Sequence, residues 1–116
     1  MLKKIPLTLL FLFFSFAISA QETFKVMFYN LLNYPIQQPA SRIQDLAIIL
    51  DDYQPDIFMV CELNNVTGAD NILTELNAIN PNYSRAAFVL NTSDDTIGNN
   101  NDLQNMIYYD NTKFTL

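Results

Sequence analysis

The spacing of apolar and polar positions changes several times along the chain, and each change predicts an element. Phe24, Val26 and Phe28 alternate with Lys25, Met27 and Tyr29, which predicts a strand with one strongly apolar face. Asn30 to Pro39 reads as a loop punctuated by Pro35 and Pro39. Ser41 stands where an N-cap belongs, and Ile43, Leu46, Ala47, Leu50 and Tyr53 then recur at helical spacing. Asp45 falls in the first turn, where a negative charge favours the helix dipole. Pro55 stops the helix and pushes Gln54 out of the helical region. From Asp56 to Cys61 the chain runs apolar without alternation, the mark of a strand covered on both faces. Asn64 to Asp70 is a second polar loop, and Ile72, Leu73, Leu76 and Ile79 make a second amphipathic helix that ends before Pro81. Tyr83 to Leu90 predicts a third strand, and Met106 to Tyr109 a fourth. Asn91 to Gln104 between them is a long exposed loop by composition. Asp110 to Lys113 forms a tight turn, after which Phe114 starts a fifth strand. The fold class is α/β, in β-α-β-α-β-β order.

The first twenty residues stand apart from that pattern. Lys3 and Lys4 precede an apolar run from Ile5 to Ile18, and Ser19, Ala20 and Gln21 supply small residues and a polar start. This is the layout of a secretory signal peptide, too short and wrongly flanked for a membrane span. Cleavage after Ala20 fits best, with cleavage after Ser19 as the alternative. The expected product is secreted or periplasmic, with no stable membrane association. Residues 21–116 then carry four basic against twelve acidic residues, a net charge of −8. That balance argues against binding nucleic acid mainly by neutralising phosphates, but not against an enzyme whose metal supplies the local positive charge. Cys61 is the only cysteine, so no disulfide forms within the chain. It reads as a small core residue, and the absence of histidine leaves nothing to activate it as a nucleophile. A fifth strand with no room to continue predicts that residues 21–116 are the amino-terminal part of a larger domain.

Asn30 and Glu62 carry the candidate chemistry. Each ends an apolar run, FKVMFY and DIFMVC, and a single amphipathic helix lies between them. A strand–helix–strand crossover of about thirty residues lays its two strands parallel. Their carboxyl ends then share one edge of the sheet, where ligands bind in open α/β sheets. An amide oxygen and a carboxylate placed together there suit Mg2+ or Mn2+. The ordinary alternatives are a turn-forming Asn and a solvated acid. Asn33, Tyr34, Asn64 and Asn65 flank the two positions and read as a loop cap, rim packing and turn residues. Asp94, Asp95 and Asp102 lack the ligand ladder of a calcium loop and read as a solvated acidic stretch. Tyr108 and Tyr109 fall on opposite faces of one strand, so one of them is core or covered by a helix.

The segments FKVMFYNLLNY, SRIQDLAIIL, QPDIFMVCELNN and NMIYYDNTKFTL, in this order, resemble the endonuclease/exonuclease/phosphatase superfamily, the fold of deoxyribonuclease I. The resemblance spans most of residues 23–116. It implies the amino-terminal half of a layered α/β sandwich of the deoxyribonuclease I-like type. It also implies a metal centre, with Mg2+ or Mn2+ as cofactor, at which Asn30 and Glu62 are the catalytic and metal-binding residues. In such proteins later strands add an Asp-x-Asn pair and an Asp-His pair, neither of which these 116 residues contain. The resemblance therefore implies a secreted, metal-dependent phosphodiester hydrolase in a longer parent. Extracellular nucleic acid is the favoured substrate, and these residues alone are expected to hydrolyse no phosphodiester above background. A lipid phosphodiesterase or phosphatase of the same fold, a non-catalytic secreted binding module and an unrelated self-contained domain are the alternatives.

Overall fold

A computed structural model describes residues 22–90 and 103–116. The expected leader (1–20) and the acidic stretch with Asp94, Asp95 and Asp102 lie outside the described residues. Strand β1 (Val26–Tyr34) leads through helix α1 (Arg42–Tyr53) to β2 (Ile57–Leu63). Helix α2 (Val66–Ile79) follows, then β3 (Tyr83–Arg85) and β4 (Gln104–Asp110). The four strands form one mixed sheet in the order β1-β2-β4-β3, parallel between β1 and β2 and antiparallel elsewhere. The result is a small mixed α/β domain, and its parallel pair is the one the crossover pattern predicts.

Both helices lie on one face of the sheet, where they contact each other. That face is built from Phe58 and Val60 of β2 and Met106 and Tyr108 of β4, all buried, with Leu46, Leu50, Ile72 and Leu76 packed down from the helices. Phe58 and Tyr108 are cross-strand partners and stack at 5.8 Å. Burying a side chain such as Phe58 stabilises the fold by about 1.5–3 kcal/mol. Tyr108 is the covered member of its pair, and its hydroxyl donates to the Ala69 carbonyl of α2 at 3.0 Å.

Several expectations are corrected. The face of Phe24, Val26 and Phe28 is not the one the helices cover: Phe28 remains 64 % exposed, and Met27 and Tyr29 turn to the core instead. Cys61 shares the outer face and is half-buried rather than core. Tyr34 is core rather than rim. Ser41 flanks α1 but makes no capping bond, because its backbone is already helical. Gln54 does leave the helical region, with φ at 48°. The second polar loop shrinks to Asn64 and Asn65, since the Asn65 side chain accepts from the Gly68 amide at 2.9 Å and starts α2 five residues early. β3 ends at Arg85, whose side chain turns to Asp70 and to the Ala86 carbonyl. The Asp110–Lys113 turn forms, closed by Lys113 and Phe114 amides on the Asp110 carbonyl. Phe114 starts no strand and sets its ring edge-on to Phe24 at 5.7 Å.

Gly68 fixes how α2 approaches the sheet. A Cβ there would stand 2.9 Å from Pro35 Cδ, 3.0 Å from Leu63 Cδ1 and 3.2 Å from Tyr34 Cδ1. The first turn of α2 thus presses directly on the segments that leave β1 and β2.

Candidate functional site

The regular pairing of β1 and β2 runs from Val26–Ile57 to Asn30–Cys61, breaks, and resumes at Tyr34–Leu63. The β2–β4 pairing breaks over the same stretch, between Val60 and Leu63. Strict alternation would send Glu62 to the helix side with Phe58 and Val60, and Leu63 outward. Leu63 is instead fully buried. In β1, alternation from Met27, Tyr29 and Leu31 would leave Tyr34 outside, yet Tyr34 is buried. Both strands therefore slip by one position at the same level.

Left-handed backbone makes the slip. Leu32 (φ 48°) and Asn33 (φ 60°) turn β1, and Glu62 (φ 57°) turns β2. Asn accepts this conformation readily, whereas for Leu and Glu it costs about 1–2 kcal/mol each. Irregularities of this kind re-aim side chains and gather at functional sites. Here they bring Asn30 and Glu62 together: Asn30 Nδ2 donates to Glu62 Oε1 at 2.7 Å. The Asn30 amide is held from its other side, where Oδ1 accepts from the Leu32 N–H at 2.8 Å. That bond sets the amide orientation, because a flipped amide would face its oxygen to the carboxylate.

The structure thus joins the two residues singled out from the sequence, and the flanking ones take supporting places. The Asn33 side chain reaches Gln37 Oε1 at 3.3 Å, closing the loop. The Asn64 amide donates to the Tyr34 carbonyl at 2.8 Å. Asn64 Oδ1 is buried with no partner among the described residues, a position suited to a water or a cation. Glu62 is half-buried, and among the described residues no donor reaches its Oε2. No group of three or more His, Cys, Asp or Glu side chains comes together to hold a metal among the described residues.

Sequence reasoning missed Arg42. Its guanidinium, at the start of α1, donates to the Leu31 carbonyl, to the Leu32 carbonyl at 3.0 Å and to the Gln37 carbonyl at 3.3 Å. The available signal was a lone cation just after a proline-bounded loop in an acidic chain. A cavity of about 630 Å³ between β1 and α1, lined by Val26, Met27, Phe28, Ile48, Ile49, Asp52 and Tyr53, includes neither member of the pair. Among the described residues no helix is long and apolar enough to cross a membrane. Comparison with protein families finds no match, and comparison with curated proteins finds no relative.

Proposed function

We propose that the Asn30–Glu62 pair is the divalent-cation end of a secreted, metal-dependent phosphodiester hydrolase of the deoxyribonuclease I-like type, acting on extracellular nucleic acid. The observation that carries this reading is the 2.7 Å contact between the two side chains at a shared break in both strands, with Glu62 held in left-handed backbone. The donor chemistry fits Mg2+ or Mn2+. Among the described residues Glu62 offers a carboxylate oxygen without a donor, Asn30 Oδ1 keeps a second lone pair, and Mg2+ takes only one or two carboxylates while retaining water. When bound, the ion polarises a phosphoryl oxygen and offsets its developing charge. Glu62 holds the anionic position and Asn30 fixes which carboxylate oxygen remains open.

A lipid phosphodiester is the second reading. Leu32 in β1 and Ile36 in the loop that follows are 56 % and 62 % exposed and would form an apolar lip near Asn30. Titrating Mn2+ into the chain and following paramagnetic broadening of amide signals tests the cation reading. Broadening centred on residues 30 and 62 that disappears in Glu62→Gln supports it. Uniform or absent broadening sinks it.

A further inference from the structure

We propose that Arg42 is the positioning residue of the candidate centre, setting the direction of the Glu62 carboxylate through Asn30. The inference rests on the cation reading only for its metal readout. Its geometry is a chain of contacts that can be followed atom by atom. The Arg42 guanidinium donates to the carbonyls of Leu31 and Leu32 and to that of Gln37. These carbonyls bracket the turn in which Leu32 and Asn33 take left-handed backbone. The Leu32 amide within that turn donates to Asn30 Oδ1, and Asn30 Nδ2 donates to Glu62 Oε1.

Each link depends on the one before. A leucine in left-handed backbone relaxes toward ordinary backbone unless something outside the turn holds it. Arg42 is suited to that task. Its planar fork carries several donors in fixed directions, and it never loses its charge. Without it the Leu32 amide leaves Asn30 Oδ1, the Asn30 side chain is free to rotate, and Glu62 loses its one hydrogen bond among the described residues. A lysine keeps the charge but not the fork. It therefore reaches at most part of the three-carbonyl set.

Arg42 also lies at the beginning of α1, where a positive charge is unfavourable to the helix dipole. Helix stability alone gives no reason for a cation at this position. The loop carbonyls give one.

The test compares the full chain with Arg42→Ala and Arg42→Lys by three measurements: thermal unfolding, hydrogen exchange of the Asn30 side-chain amide, and Mn2+ affinity. Partners that orient metal ligands are worth about 10–100-fold in affinity. Both variants are expected to stay folded, to weaken Mn2+ at least tenfold by that measure, and to speed exchange of the Asn30 amide protons, with Lys the milder. A folded Arg42→Ala chain with unchanged Asn30 exchange and unchanged Mn2+ affinity overturns the proposal. If the wild-type chain binds no Mn2+ yet Asn30 exchange responds to Arg42, the cation reading fails and the positioning role stands. Should both variants unfold, scalar couplings across the hydrogen bonds from the Arg42 guanidinium to the Leu31 and Leu32 carbonyls of the wild-type chain decide the matter. Their presence supports the clamp and their absence overturns it.

Discussion

The β1–β2 pair carries polar groups at both of its ends, and the two ends are built on opposite plans. Where the strands begin, Asp56 and Asp110 are both saturated. Asp56 accepts from the Lys25 amide at 2.7 Å and from Lys113 Nζ at 2.5 Å. Asp110 accepts from the Thr112 amide and hydroxyl and from Asn80 Nδ2. Tyr83 donates to the Pro55 carbonyl beside them, and burial pushes its own hydroxyl up to about 12. Burial pushes the Asp56 carboxyl up, but the bonds from Lys113 and the Lys25 amide outweigh it and hold the group below its ordinary value. Asp110 is likewise held low by Thr112 and Asn80 against the effect of burial. Where the strands end, Glu62 has one donor among the described residues, an open oxygen and a left-handed backbone. Fully saturated acids are what a structural polar cluster looks like. An open acid on costly backbone is what a ligand site looks like.

Breaking the first end should damage the fold. Asp56→Ala removes the acceptor that ties Lys25, just before β1, to Lys113 beyond β4, and is expected to cost about 2–3 kcal/mol in chemical unfolding, chiefly through the lost bond to the buried end of the strands. A loss below about 0.5 kcal/mol, the size of an ordinary surface change, would erase the contrast between the ends. Gly68→Ala comes next. It forces a methyl against the Pro35 ring and Leu63, with an expected cost of about 2 kcal/mol. Because that contact backs both slipped segments, hydrogen exchange at Leu32 and Glu62 should speed up as well.

Asp56 and Asp110 are depressed in the folded chain, so the stability they contribute is present above their unfolded values and is lost as pH falls through the folded ones. The melting temperature is expected to hold from neutral pH to about 5 and to drop below about 4. Asp56→Asn and Asp110→Asn should each flatten that drop, and an unaltered acid transition in both would contradict the assignment. Asn65→Ala gives the smallest effect, about 1 kcal/mol for a lost helix cap, read from the same unfolding curves.

The pairing of Asn30 with Glu62 was legible because each closes an apolar run and one helix separates them. What brings their side chains into contact was not. Alternation reports which positions are apolar, but it carries no sign of backbone handedness, so the slips at Leu32–Asn33 and at Glu62 were invisible. For the same reason β1 was expected to stop near Asn30, whereas it continues to Tyr34. The choice of covered face was equally hidden. β2 is apolar on both sides, and Phe24, Val26 and Phe28 look more core-like than Met27 and Tyr29, yet the helices settle on the latter. The start of α2 was missed because Thr67, Gly68 and Asp70 read as loop, while Asn65 three residues before Gly68 was the capping signal.

The most direct measurement is the Mn2+ dissociation constant of the full chain beside that of Glu62→Gln, with the melting temperature of each. Gln keeps the oxygen that Asn30 contacts and removes only the charge. Glu62→Gln is expected to keep its melting temperature within about 2 °C, the size of a surface substitution, and to lose site-centred Mn2+ binding. Equal Mn2+ binding by both chains, or a collapse of stability in Glu62→Gln, would contradict the cation reading.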